Sequence, residues 1–256
     1  MKRLASTLFS LALLSTFANA SFYVWADSFS TDISPSSDYN LYVQDVDTTV
    51  SDARSITTSF TSASYGSTAS LGTLKSYSNV NSQMSFSFAL LPRVTTRAQT
   101  SDSITNTGSS AITLHFSMPT IGTFVSGSYN ATMHADLSAG NLNGTSTLDL
   151  TRYEKMINGV YSLDQNVTEG DITVSAGDKI IINSSIFTDA RNNVQLAGGL
   201  NSGLDFSHTS HLYIDLLTPG GTFTTQSGHN YSSVPEPISA LGLLCGVLLF
   251  ARRRNR

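Results

Sequence analysis

Short runs in which apolar and small polar residues alternate recur along most of this chain, and a period of two suits an extended strand with one face buried. Phe22-Tyr23-Val24-Trp25-Ala26, Asn40-Leu41-Tyr42-Val43, residues 84–90, Ala111-Ile112-Thr113-Leu114-His115-Phe116 and residues 210–216 all read as such strands. Ser and Thr supply about 28% of the residues, and Lys occurs only at Lys2, Lys75, Lys155 and Lys179. A chain this poor in the residues that sustain exposed helices excludes helical bundles, coiled coils and most α/β enzymes. The Ser/Thr-rich stretches 55–62 and 95–105 are expected as strands with a solvated face, where β-branched Thr is at ease.

Turn signals punctuate the strands: Asn106-Thr107-Gly108, Asn143-Gly144, Asn158-Gly159, Ala176-Gly177-Asp178, Gly198-Gly199 and Pro219-Gly220-Gly221. Strands and turns at this spacing predict one all-β domain over residues 21–226, a single antiparallel β-sandwich of jelly-roll-like or similar type. Two stretches fit less well. Arg152-Tyr153-Glu154-Lys155-Met156, the densest run of charge, reads as one helical turn or a strand end, and residues 189–205 read as a loop over the rim. A last strand is expected near 221–225, followed by a Gly/Ser tether over 227–233.

The charge of this interval excludes one partner class. Residues 21–233 hold about 8 Lys and Arg against about 17 Asp and Glu, roughly −9 overall, and no three basic residues cluster. Binding a phosphate backbone needs a basic face that releases counterions, so nucleic acid is not an expected partner.

Both ends carry addresses. Lys2 and Arg3 precede the apolar run 4–17, and Ala18-Asn19-Ala20 has the small-x-small form of a signal-peptidase site, so residues 1–20 are expected to be removed and Ser21 to begin the mature protein. At the other end, Val234-Pro235-Glu236-Pro237 precedes an uncharged run over 238–251 and the basic tail Arg252-Arg253-Arg254-Asn255-Arg256. About 14 residues rising 1.5 Å each reach roughly 21 Å as a helix, short of the ~30 Å hydrocarbon core, so the run is a marginal transmembrane anchor. The arginines favour the cytoplasmic side, which puts the domain across the membrane, as the signal peptide does. The two prolines fix φ and hold the motif extended outside the membrane, and Glu236 supplies one charge for a protease to read.

This ordered tail, residues 234–256, resembles the PEP-CTERM sorting signal of exported proteins of Gram-negative bacteria. The resemblance implies processing by exosortase near Pro235-Glu236-Pro237, transient anchoring in the inner membrane, and delivery to the cell surface or beyond, in company with exopolysaccharide and biofilm formation. Cys245 lies mid-helix with no base beside it and reads as apolar filler, so the ectodomain holds no cysteine and no disulfide.

Little catalytic chemistry is legible. His208-x-x-His211 falls on opposite faces of a strand with no third ligand following, and no nucleophile elbow, phosphate loop or dinucleotide fingerprint occurs, so no catalytic residue, metal or cofactor is expected. Asp45 and Asp47 share a strand face and read as solvated acids, since paired carboxylates around a sugar come from separate elements. The sequons at Asn130, Asn143, Asn166, Asn183 and Asn230 are of the number that such Ser/Thr content produces by chance. Tyr23 and Trp25 share one face of the first strand and read either as core cover or as a platform for sugar stacking. Three functions follow: a non-enzymatic surface or matrix protein, expected first, then a carbohydrate-binding module, and a secreted hydrolase.

Overall fold

The computed structural model describes residues 23–31, 39–44, 49–57, 61–82, 93–141, 144, 146–191 and 200–232; the signal peptide, the strand expected at 84–90, Asp45, Asp47 and the tail from 233 lie outside them. The described residues are all-β, with no helix, and every strand pair is antiparallel.

The largest sheet is built from β1 (Tyr23–Thr31), β2 (Tyr39–Gln44), β6 (Arg93–Asn106), β9 (Ala131–Asn141), β10 (Thr147–Ile157), β11 (Val160–Val167) and β13 (Lys179–Arg191). Their order is β11-β10-β9-β13-β6-β1-β2, and β16 (Phe223–Thr225) also pairs with β6. One face of this sheet is covered by two smaller ones. The first holds β3 (Val50–Thr57), β4 (Thr61–Ser70), β5 (Thr73–Ser82), β14 (Leu200–His211) and β8 (Thr123–Phe124) in that order; the second holds β12 (Glu169–Val174), β7 (Ile112–Ser117) and β15 (Tyr213–Leu216).

The alternation read from the sequence sets this layering. On β9 the residues Ala131, Met133, Ala135, Leu137 and Ala139 are buried, while Ile180, Ile182 and Ile186 of β13 are buried beside them. Ile182 faces Ala139 and Ile186 faces Ala135 across the ladder, so a large side chain meets a small one in each pair. Opposite them lie Ile112, Leu114 and Phe116 of β7, Leu74 of β5 and Leu204 and Phe206 of β14, which join the same apolar cluster. The hairpin between β10 and β11 turns at Asn158-Gly159, whose φ values of 52° and 75° are the pair of left-handed residues that a two-residue turn with the sheet's own twist requires.

Several expectations need correction. Residues 55–62 are no single strand: they straddle β3 and β4, and Thr57 pairs with Ser62. Residues 95–105 are a strand whose outward face reaches solvent at Thr95, Arg97, Gln99 and Thr105, but Thr96 and Thr100 point into the molecule and Ser101 and Ser103 are buried as well. Hydroxyls reach hydroxyls there: Ser76, Thr96 and Thr188 form a triangle between the layers with sides of 2.5, 2.7 and 2.9 Å, and Thr100 bonds Ser184 at 2.7 Å. Each of these five hydroxyls thereby has a partner, which removes most of the cost of burying it, whereas the buried Ser103 hydroxyl has none. This polar layer lies between the main apolar cluster and a smaller one of Ala63, Tyr65, Val80, Val94 and Ala190.

Residues 152–156 belong to β10, which keeps a continuous register with β9, while its ladder with β11 carries a bulge on the β11 side between Tyr153 and Glu154. The rim loop expected at 189–205 is in its described parts the end of β13 and the start of β14. The run 210–216 breaks at Leu212, with β14 on one side and β15 on the other.

The expected last strand is β16, but the tether expected from 227 does not begin there. Gln226 N–H donates to Ser103 O, Ile214 N–H donates to Tyr231 O, and Tyr231 is buried, so the packed domain extends to residue 231. The anchor is Asp102, itself buried, whose carboxylate accepts from Ser103 N–H, Ser227 N–H, Ser227 O–H and Tyr231 O–H at 2.7, 3.2, 2.5 and 2.9 Å.

Candidate functional site

The face of the large sheet turned away from the core carries the most developed cluster of aromatic and polar side chains among the described residues. Alternation puts His134 and Asp136 of β9, Thr151, Tyr153 and Lys155 of β10, and Phe187 of β13 on that face, because the buried residues Met133, Ala135, Leu137, Leu150, Glu154, Ile186 and Thr188 beside them in sequence turn inward. The registers then align residues distant in sequence: Gln165, Tyr153, His134, Phe187 and Arg97 form one row across five strands. At the usual spacing of about 4.8 Å between strands, such a row runs roughly 19 Å.

Within it, His134 meets Tyr153 edge to face at 5.4 Å between ring centres, and His134 Nε2 lies 3.1 Å from Asp136 Oδ1. Thr151 O–H donates to that same Oδ1 at 3.0 Å. Lys155 Nζ lies 5.8 Å from the centre of the Tyr153 ring and is ion-paired with Asp164. The hydrogen bond between these two holds the ammonium above its ordinary pKa and the carboxyl below its own, so both stay charged at neutral pH. His134 and Asp136 keep 43% and 40% of their side-chain surface in solvent, enough for a ligand to reach them.

The order of these contacts decides what the cluster can do. A nucleophilic triad needs the imidazole in the middle, between hydroxyl and carboxylate. Here the carboxylate is in the middle, between Thr151 and His134, so the hydroxyl donates to a carboxylate and not to an imidazole. What remains is a broad face with aromatic rings at its centre and donors and acceptors around them, an arrangement suited to stacking against rings and bonding hydroxyls.

A second cluster lies on the outer face of the three-stranded sheet. His115 Nδ1 is 2.6 Å from Asp171 Oδ1 and its Nε2 is 4.0 Å from Glu169 Oε2, with Asp215 in register on the other side. Among the described residues no group of three or more His, Cys, Asp or Glu is arranged to hold a metal ion.

The residues singled out from the sequence are placed as follows. The backbone of β1 sets Trp25 beside Gln99 and Tyr23 beside Ser101, and Gln99 continues through Ser185 to Asp136, so Trp25 falls in the row next to that of Tyr153. His211 stacks on Tyr213 at 5.7 Å. Ala18, Ala20, Ser21, Val234, Pro235, Glu236, Pro237, Arg252, Arg253, Arg254 and Arg256 lie outside the described residues. Sequence reading did not single out His134, Tyr153 and Phe187. Each alternates correctly in its own strand, but only the registers of β10 with β9 and of β9 with β13 bring them into line.

No family model matches the chain, and no curated protein matches it. Among solved structures the chain is similar to one described as "Structural basis for the promiscuous specificity of the carbohydrate-binding modules from the beta-sandwich super family". The identity is 9%, the match covers 77% of this chain and 85% of that one, and the TM-score of 0.14 is too low to carry fold or ligand over.

Proposed function

We propose that this chain is an exported, exosortase-sorted surface or matrix protein of non-enzymatic type, and that it holds extended polysaccharide on the open face of its large sheet. The observation that carries the binding part is the row of Gln165, Tyr153, His134, Phe187 and Arg97, with Asp136 and Thr151 beside it. A polymer lying across five strands meets rings in the middle and hydrogen-bonding groups on either side, and it needs no enclosed pocket. Replacing Tyr153 by Ala is expected to weaken binding of a neutral β-glucan at least tenfold in affinity electrophoresis, while Tyr153→Phe keeps most of it because the ring does the stacking. Failure of the wild-type domain to bind any of a panel of neutral glycans, or wild-type binding by Tyr153→Ala, would overturn the assignment.

The sorting part rests on the tail. Replacing Arg252, Arg253, Arg254 and Arg256 by Ser removes the charge stop and is expected to let the chain pass through the membrane, whereas Glu236→Ala is expected to leave it inserted and uncut. Cell fractionation with intact-mass measurement separates the two outcomes. Surface delivery like that of the wild type in both variants would show that the tail does not direct sorting. Mature protein that retained residues 1–20 would remove the export reading as well.

A further inference from the structure

The outer face of the five-stranded sheet, on the other side of the molecule from the Tyr153 row, holds a shallow, open depression with about 60 Å³ of room inside it. Its floor is low because two small residues, Ala53 of β3 and Gly66 of β4, stand opposite each other in the ladder. Glycine inside a strand costs stability, and one of its uses is close approach by another group. Tyr77 of β5 pairs with Gly66 and forms a wall, and Lys75 pairs with Thr68 beside it. Ser207 of β14 closes the far side.

Lys75 is the unusual member. Lys155 is paired with Asp164 and Lys179 bonds Gln226, whereas Lys75 makes no hydrogen bond or ion pair among the described residues. A domain of net charge about −9 with few lysines therefore places an uncommitted ammonium in a small depression beside a phenol ring and hydroxyls. Asp205, in register with Tyr77, is engaged by the Ser207 amide at 2.9 Å, on the strand beyond the ring.

We propose that this depression binds the carboxylate-bearing ring of an acidic sugar, a uronate, with Lys75 taking the carboxylate, Tyr77 the ring and Thr68 and Ser207 the hydroxyls. The charge accounts for the carboxylate and the aromatic wall for a ring, and the open form of the depression lets the rest of the chain continue over the surface. The inference rests on reading the protein as a polysaccharide binder but uses none of the residues of the large-sheet face.

The test titrates the wild-type domain by calorimetry with an oligogalacturonate, with a neutral oligosaccharide of equal length, and with the oligogalacturonate in the presence of sodium acetate. Oligogalacturonate binding is expected to fall at least tenfold in Lys75→Gln and in Ala53→Leu, which fills the floor from an exposed position on β3, and to persist in Tyr153→Ala. Absence of wild-type binding, wild-type affinity in Lys75→Gln, or loss in Tyr153→Ala would overturn the assignment. So would equal competition by millimolar acetate, since the ring would then contribute nothing. Far-UV circular dichroism and melting identify a variant that fails by unfolding, and Ala53→Leu and Lys75→Gln are unlike enough in chemistry for one to report if the other misfolds. Loss of the neutral-glycan arm alone would remove the large-sheet assignment and leave this one standing.

Discussion

Replacing Asp102 by Ala is expected to lower the stability of the domain by about 4 kcal/mol, because four donors aimed at one buried carboxylate lose their acceptor together. Two of these, from Ser227, and a third, from Tyr231, belong to the C-terminal segment, and the fourth is the amide of Ser103. For a domain of this size that is a fall in melting temperature of roughly 8–16 °C. Ser227→Ala and Tyr231→Phe remove single bonds and should cost about 1–2 kcal/mol each. Burial, and then the negative charge of Asp102, pushes the Tyr231 hydroxyl far above its ordinary value of 10.0. Above pH 10 the unfolded chain therefore releases a proton that the folded chain keeps, and stability falls as pH rises. Denaturant melts at pH 8 and pH 11 should show a steeper loss in the wild type than in Tyr231→Phe. An Asp102→Ala protein melting within 2 °C of the wild type would show that residues 226–232 are not part of the folded unit.

Gly122→Ala is expected to cost about 3 kcal/mol, for a reason that has nothing to do with backbone freedom, since φ at Gly122 is not in the left-handed region. A Cβ placed there would lie 2.2–2.6 Å from three ring carbons of Phe206. That ring cannot retreat: Phe206 is fully buried, and Phe124 meets it edge to face at 6.4 Å. A variant that also shortens the obstacle, Gly122→Ala with Phe206→Leu, should be more stable than the sum of the two single losses predicts. Additive losses in that cycle, or a melt unchanged by Gly122→Ala, would show that the segment before β8 moves freely away from β14.

The strands that were legible in the sequence are those whose alternation is apolar against polar. In β7, Ile112, Leu114 and Phe116 face the core and Thr113 and His115 face outward, which is what a period of two announces. β6 hid its environment because Thr96 and Thr100 alternate like solvent-facing residues, and only the arrival of Ser76, Thr188 and Ser184 from other strands makes their burial tolerable. The tail segment misled for the same reason. Ser227, Gly228 and Asn230 have the composition of a tether, and the residue that pins them, Asp102, lies 125 positions earlier than Ser227. The Tyr153 row fails the linear test altogether, because the charge of 152–156 hid a strand and the partners of Tyr153 in the row come from other strands.

The Asp102 latch also has a mechanical side. β16 and β1 lie end to end along the same edge of β6, with Thr225 opposite Ile104 and Tyr23 opposite Ser101, so Asp102 stands at the joint between the last strand and the first. A pull on the C-terminal end therefore loads Tyr231, Ser227 and the three residues of β16 one after another, in peeling, before it reaches the long ladders of β6 with β1 and β13. Peeling residues 223–232 frees about ten residues, or roughly 35 Å of chain. A domain held in place by its C-terminal end would thus give way in two stages under drag: a short extension at low force that leaves the sandwich closed, and rupture only when the central strand itself is drawn out.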